Sequence, residues 1–130
     1  MRELAVGIDL MPVDEVTVAL ARFGDRYLHR IFTVQELDCA RGDPAVQASR
    51  LAACFAAKEA TIKALAPDDY PPEWRSIEVR QAGGGHCTLH LSGRAAELAR
   101  RSRITEFAVS LTQQGNLAAA VVIALGEIDS

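Results

Sequence analysis

The first residues of the chain alternate between large apolar side chains and smaller or polar ones. Two sets of alternate positions fill the stretch LAVGIDLMPV: Leu4, Val6, Ile8 and Leu10 form one set, and Ala5, Gly7, Asp9 and Met11 form the other. A period of two is typical of a β-strand, because successive side chains point to opposite faces. The pattern therefore predicts a strand in which Asp9 shares its face mainly with small residues.

Helical patterns dominate the next fifty residues. A helix is expected from about Val13 to Phe23, and Thr33 with Glu36 three residues later has the spacing of a capping box. Gly42 and Pro44 should end that second helix. A long helix follows from about Ala45 or Ser49 to Leu65, and the three prolines of APDDYPPEW then predict an irregular loop.

Strand patterns return in the second half of the chain. SIEVRQAGGGHCTLHLSG indicates two short strands around the glycines at 83 to 85, and SGRAAELARRS a short helix. TEFAVSLTQQGNLAAAVVIAL is typical of a hairpin, whose closing strand is apolar on both faces and therefore central. Helices toward the front and hairpins toward the back predict an α+β fold.

The predicted long helix carries three charges in FAAKEATIKAL. On a helical wheel Lys58 falls within the apolar stripe, while Glu59 and Lys63 lie beside it. One interpretation is that Lys58 extends its ammonium group past the core and that Glu59 and Lys63 form a surface i,i+4 ion pair. The other is that the helix lines a polar site that faces an anion or a metal ion.

The amino-acid composition limits the classes of protein to which the chain can belong. The 130 residues are 49% hydrophobic and 24% charged, which suits a single globular domain spanning residues 1–130. The net charge of −3 argues against nucleic-acid binding. Three cysteines without a CxxC pair indicate neither a disulfide framework nor a zinc site, and no apolar run resembles a signal peptide or a membrane span. A cytoplasmic location is therefore expected.

Two carboxylates, Asp9 and Glu59, have the most apolar local surroundings of the acidic residues. Burial of either one alone would be costly. If they converge near lysines, they suit a hard cation such as Mg²⁺ that also holds substrate phosphates. Asp9 alone has an equally good structural interpretation, as a cap for the helix that follows its strand.

Five segments, in this order, resemble the holo-acyl-carrier-protein synthases of the 4′-phosphopantetheinyl transferase superfamily: VGIDLMPVDEV, RYLHRIFTVQEL, LAACFAAKEATIKAL, LHLSGRAAELA and FAVSLTQQGNLAAAVVIAL. The resemblance covers most of the chain. It implies the fold of that superfamily, with an antiparallel sheet packed against a long central helix. It also implies transfer of phosphopantetheine from coenzyme A to a serine of an acyl carrier protein.

The same resemblance implies a role for individual residues. Asp9 and Glu59 match Mg²⁺ ligands, Glu59 also matches the group that takes the serine proton, and Lys63 matches the lysine that stabilises or protonates the leaving phosphate. Lys58 matches a lysine that either contacts coenzyme A or supports the site from behind. The remaining matches are Ser110 and Thr112, as coenzyme A contacts, and Arg26 and Arg30, as contacts to the acidic carrier protein.

The resemblance further implies a homotrimer with coenzyme A bound between neighbouring subunits. The apolar strand from Leu117 to Leu125 has too few polar residues for an exposed sheet face. We therefore expect it to be buried, either within one subunit or around a threefold axis. A monomer in which the long helix covers this strand is the alternative.

The chain departs from the family pattern at several positions. Glu15 replaces a basic residue, Cys54 an arginine, and Gln113 a histidine, while APDDYPPEW replaces a glycine-rich loop. Each change removes an expected contact to a phosphate, the nucleotide or the carrier protein. A second hypothesis is therefore a transferase-like scaffold that no longer transfers and instead binds a carrier protein or biosynthetic enzyme, or catalyses another reaction in the same pocket.

Overall fold

Five α-helices and a short 3₁₀-helix at Trp74–Ser76 occur in a computed structural model that describes residues 1–68, 70–81 and 86–127. The bounds of the α-helices are α1 Val13–Phe23, α2 Asp25–Ile31, α3 Val34–Cys39, α4 Pro44–Leu65 and α5 Gly93–Arg101. The bounds predicted for α1 are confirmed, and so is the capping box of Thr33 and Glu36 at the start of α3. None of these helices is both long and apolar enough to cross a membrane.

Five strands form two antiparallel sheets in the described residues: β1 Arg2–Pro12, β2 Ile77–Gln81, β3 Cys87–Leu91, β4 Ile104–Gln114 and β5 Leu117–Glu127. The larger sheet has the order β1-β5-β4, and β2 pairs with β3 in the smaller one. The apolar strand β5 is thus central, as its pattern predicted. The glycine turn expected between β2 and β3 lies outside the described residues. The α+β fold with an antiparallel sheet against a long helix is confirmed.

Helix α4 packs across one face of the larger sheet and is buried on most of its sides. Asp43 caps its first turn by accepting a hydrogen bond from the Val46 amide at 3.0 Å, and Pro44 occupies the first helical position. The small residues of α4 and of β5 allow the helix and sheet to approach closely. This packing places Glu59 and Lys63 beside β1.

The opposite face of the larger sheet is open and largely apolar along β1 and β5. Leu4, Val6, Ile8 and Leu10 are between 59% and 66% exposed. They pair across the sheet with Leu125, Ile123, Val121 and Ala119, in that order. The large residues of β1 therefore face outward, and the small-residue face of β1 packs on α4. Apolar surfaces of this extent are commonly found where a protein contacts a partner or a ligand.

Candidate active site

Asp9 and Lys63 meet where the middle of β1 passes α4. The Lys63 Nζ donates hydrogen bonds to Asp9 Oδ1 at 3.1 Å and to the Ile8 carbonyl oxygen at 2.9 Å. The Lys63 side chain is 53% exposed and that of Asp9 19% exposed. The i,i+4 pair between Glu59 and Lys63 is therefore not formed, because the nearer strand carboxylate takes the ammonium group.

Glu59 completes this group of charges, one helical turn before Lys63. Its carboxylate makes no hydrogen bond or ion pair with any described residue. Burial raises the pKa of the Glu59 carboxyl, the negative charge of Asp9 raises it further, and Lys63 opposes both effects. A partly buried carboxylate that lacks a partner and faces a second carboxylate is suited to a cation or a proton.

The carboxylate oxygens of Asp9 and Glu59 fit a hard cation that is also coordinated by oxygens of a substrate. No cluster of three or more His, Cys, Asp or Glu side chains suited to a metal ion occurs in the described ranges. Magnesium is commonly held by only one or two protein carboxylates together with substrate phosphates and water. Asp9 and Glu59 meet that requirement, whereas a zinc or calcium cage would need more protein ligands.

Lys58 belongs to a buried polar network behind the site. Its side chain is fully buried, and its Nζ donates to Glu36 Oε1 at 2.8 Å, to the Trp74 carbonyl at 3.0 Å and to the Ile77 carbonyl. The idea that Lys58 reaches solvent past the core was therefore wrong. Because an ammonium group has three N–H donors and all three are engaged, this conformation does not suit a direct contact with coenzyme A.

Glu36 is the acidic partner of Lys58 in this network. The sequence predicted its part in the capping box but not this second role. Its Oε1 accepts from the Thr33 amide at 2.9 Å, and its Oε2 accepts from the Val79 amide at 2.7 Å. The residue is only 4% exposed. The Glu36–Lys58 pair thus joins α3, α4 and β2, and it fixes the rotation of the helix that presents Glu59.

The two arginines expected to face a carrier protein lie together on α2. Arg26 and Arg30 are exposed and four residues apart, so they share one side of the helix. Neither forms an ion pair with a described residue. Glu15 is also exposed, on α1, and its charge contributes to raising the pKa of the Tyr27 phenol, after the larger effect of burial.

The expected coenzyme A contacts of β4 are not brought to the Asp9 group. Ser110 pairs with Val121, and Thr112 pairs with Ala119, on the open face of the sheet. Asp9 lies on the other face and on the opposite edge strand, β1. One chain therefore does not assemble all of the predicted site residues on a single surface.

Cys54 and the histidines show no catalytic arrangement. Burial, followed by the charge of Glu36, raises the pKa of the Cys54 thiol well above its usual value, so it is a packing residue rather than a nucleophile. His90 lies 3.0 Å from Arg80 Nη1 and 3.1 Å from Thr88 Oγ1, at the exposed surface of the small sheet.

Comparison with known proteins identifies relatives over nearly the whole chain. The sequence model of the 4′-phosphopantetheinyl transferase superfamily matches residues 5–122. A holo-[acyl-carrier-protein] synthase from Desulforudis audaxviator is 39% identical over 98% of this chain and 96% of its own length. The same enzyme from Chloroflexus aggregans is 40% identical over 91% of this chain and 92% of its own length.

Solved structures agree with this relationship. The chain is similar to the Chronobacterium ammoniagenes ACPS–CoA complex, with a TM-score of 0.81 and 28% identity over 97% of this chain and 99% of that one. Mycobacterium tuberculosis acyl carrier protein synthase gives a TM-score of 0.75 and 32% identity over 95% and 97% of the two chains. The family match, the identity to these relatives and the shared fold together show that the chain belongs to the 4′-phosphopantetheinyl transferase superfamily.

Proposed function

We propose that this protein transfers 4′-phosphopantetheine from coenzyme A to a serine of an acyl carrier protein. The observation that carries the proposal is the meeting of Asp9, Glu59 and Lys63 beside β1 in a chain whose relatives are holo-[acyl-carrier-protein] synthases. Two carboxylates and an ammonium group supply the charges that phosphoryl transfer requires, which are a proton acceptor and a cation for the leaving group.

Two residues of α4, Glu59 and Lys63, would carry the two catalytic roles of the reaction. The serine hydroxyl oxygen attacks the phosphorus atom that carries pantetheine, and the bond from that phosphorus to the bridging oxygen of 3′,5′-ADP breaks. Glu59 accepts the serine proton, a role that suits a carboxylate whose pKa is raised by burial and by Asp9. Lys63 stabilises or protonates the phosphate oxygen that leaves. Its half-exposed side chain is able to turn from Asp9 toward a substrate.

Asp9 and Glu59 are the residues that would hold Mg²⁺. When bound, the ion would neutralise charge on the diphosphate of coenzyme A. The support for this assignment is the donor chemistry: two carboxylates near one another, of which Glu59 has no partner among the described residues. Lys58 would act indirectly, since its network with Glu36 fixes α4 behind the site.

The carrier protein would dock on α2, where Arg26 and Arg30 present two exposed positive charges that no acidic side chain of the described residues pairs with. An acidic helix of a carrier protein is complementary to that surface. Glu15 is exposed on the preceding helix and would repel such a partner. We therefore expect weaker docking than a basic residue at position 15 would give. Which carrier is served, from fatty acid, polyketide or peptide assembly, is left open.

Assembly into a homotrimer with shared coenzyme A sites is supported by two features of the sheet. The outward apolar residues of β1 and β5 form a surface that water would otherwise cover. The Asp9 group and the β4 hydroxyls lie at opposite edges of the same sheet, so a head-to-tail contact would bring them together between two copies. Heterologous contacts of this kind form a closed ring when the rotation between neighbouring copies is one third of a turn. A cytoplasmic location fits the three unpaired cysteines.

The decisive experiment is incubation with coenzyme A, Mg²⁺ and a panel of apo carrier proteins, followed by mass spectrometry of each carrier. Addition of a phosphopantetheine group to at least one carrier is the expected result. If no carrier gains that mass while the protein is folded, transfer is excluded and the scaffold hypothesis replaces it. Calorimetric titration with coenzyme A then shows whether the scaffold keeps the nucleotide pocket.

A further inference from the structure

The ammonium group of Lys63 lies against the carboxylate that would hold a cation. Its Nζ is 3.1 Å from Asp9 Oδ1 and 2.9 Å from the carbonyl oxygen of Ile8, the residue before Asp9. Lys63 therefore takes one oxygen of a proposed Mg²⁺ ligand together with a main-chain oxygen beside it. One of the two carboxylates of the proposed cation site is thus already paired with a positive charge.

The choice of Asp9 as the partner of Lys63 is not the one that the helix favours. Glu59 and Lys63 are four residues apart on α4, a spacing at which opposite charges commonly pair. Burial has the largest effect on the pKa of the Glu59 carboxyl, which Asp9 raises further and Lys63 lowers, so the three charges lie near one another. Lys63 nevertheless bonds to the strand, and the Glu59 carboxylate has no ion-pair partner in the described part of the chain.

This pairing opposes the entry of a divalent cation. Two positive charges that share one carboxylate repel each other strongly, because the repulsion grows as the distance between them shortens. While Lys63 holds Asp9, only Glu59 is left to bind the ion. Magnesium gives up its water reluctantly, so a single carboxylate binds it weakly. Binding of Mg²⁺ between Asp9 and Glu59 therefore requires Lys63 to leave Asp9.

Lys63 is free to leave because its side chain is not enclosed. It is 53% exposed, and both of its hydrogen bonds are to oxygens of one strand. Lys58, on the same helix, is the opposite case: its side chain is fully buried and its ammonium group has three acceptors. Of the two lysines of α4, Lys63 is the one whose flexible stem can carry its charge to another partner.

The diphosphate of coenzyme A is a partner that would draw Lys63 away from Asp9. Its anionic oxygens would accept charge-assisted hydrogen bonds from the ammonium group, and other oxygens of the same group would coordinate the cation. The cation would then replace the positive charge that Asp9 loses. The same movement would bring Lys63 to the phosphate that leaves in the reaction.

We infer that Lys63 competes with Mg²⁺ for Asp9 in the free protein and is released from Asp9 when coenzyme A binds. This inference rests on the proposed function and adds the order in which the site fills. It makes the binding of cation and coenzyme A cooperative, because each of them favours the state in which Lys63 has left Asp9.

The test uses Mn²⁺, which takes the same oxygen ligands as Mg²⁺ and whose unbound fraction is measured by electron paramagnetic resonance. In the absence of coenzyme A, Lys63→Met should bind Mn²⁺ at least about tenfold more tightly than the wild type. Lys63→Arg keeps the positive charge and should bind as weakly as the wild type. Arg101→Met removes an exposed cation that pairs with Glu97, so it is the control for net charge and should change nothing.

Two further measurements distinguish competition for Asp9 from a general effect of charge. In an Asp9→Asn background, Lys63→Met should tighten Mn²⁺ binding much less, because the carboxylate for which the two cations compete is gone. Addition of coenzyme A should tighten Mn²⁺ binding more in the wild type than in Lys63→Met, after correction for the Mn²⁺ that coenzyme A itself binds.

Equal Mn²⁺ affinity of the wild type and Lys63→Met, both folded by circular dichroism, would overturn the inference. An equal gain from coenzyme A in the two proteins would do the same. If Lys63→Met does not fold, Lys63→Gln gives the same comparison, since it also removes the charge. None of these measurements involves a carrier protein, so a protein that transfers phosphopantetheine but shows no difference between the variants keeps the proposed function and loses only the competition.

Discussion

Gly7 of β1 and Ala60 of α4 are in backbone contact: a Cβ atom added to Gly7 would lie 1.8 Å from the Ala60 carbonyl oxygen. Asp9 follows two residues after Gly7 on the same face of the strand, and Glu59 immediately precedes Ala60. The separation between the two proposed cation ligands is therefore set by this one contact. Only glycine permits so close an approach.

We expect Gly7→Ala to destabilise the protein by at least about 1–3 kcal/mol and to reduce transfer activity, because the helix must move away from the strand. Urea unfolding followed by circular dichroism measures the loss. Gly42→Ala is the comparison variant, since its new Cβ would lie 2.8 Å from Val46 Cγ1 and 3.9 Å from Arg50 Nη1, which are side-chain atoms, and would meet no backbone atom as close as the Ala60 carbonyl oxygen is to Gly7. Equal stability of the two variants would contradict the contact.

Glu59→Gln should lower turnover by about 10²-fold or more, because proton acceptance and cation binding are lost together. It should not lower stability. In the folded protein the pKa of Glu59 is higher than in the unfolded chain. At a pH above that raised pKa the ionised carboxylate therefore opposes folding, and the neutral amide of Gln removes this unfavourable contribution. Saturation kinetics measures the loss of turnover, and urea unfolding measures the change in stability. Glu97→Gln, at an exposed surface pair, should change neither measurement.

Lys58→Met should cost about 3–5 kcal/mol of stability, because it leaves the Glu36 carboxylate buried without its cation. The double variant Glu36→Gln with Lys58→Met should recover part of that loss, as expected for residues in direct contact. Arg101→Met breaks an exposed pair with Glu97 at 3.7 Å and should cost less than about 1 kcal/mol. Similar losses for Lys58→Met and Arg101→Met in urea unfolding would exclude a structural role for the buried pair.

Light scattering after size exclusion should give a mass near three times the 14.0 kDa of one chain. Ala119→Asp should dissociate the assembly, because position 119 lies on the open face opposite Leu10 and a buried unpaired charge is costly there. Activity should then fall although the Asp9 group is unchanged. Val34→Glu, at an exposed apolar position on α3, is the control that keeps the assembly. A wild-type mass of one chain at micromolar concentration would rule out the trimer.

The three thiols should react at different rates with a water-soluble aromatic disulfide. Cys39 is exposed and should react first, whereas Cys54 is buried with a strongly raised pKa and should react only as the protein unfolds. Mass spectrometry of quenched samples identifies the modified residue, and urea provides the control in which all three react. Rapid labelling of Cys54 in the folded protein would show that the residue is accessible.

Local patterns in the sequence determined most of the secondary structure. The period of two predicted β1, the apolar run in β5 predicted a central strand, and Thr33 with Glu36 predicted the start of α3. The short helix α2 was not predicted from periodicity. These signals are reliable because they arise between residues only a few positions apart, where backbone geometry fixes the relation of neighbouring side chains.

Only the tertiary structure shows which residues the charged side chains of α4 pair with. The helical wheel placed Lys58 in the apolar stripe, but its partner Glu36 belongs to another helix, and Lys63 pairs with Asp9 across 54 positions of sequence. Periodicity also does not say which face of β1 meets the helix. The small face does, because the Gly7 backbone must touch α4, and the large residues are left exposed on the other face. Contacts between distant segments depend on how elements pack, which no local spacing encodes.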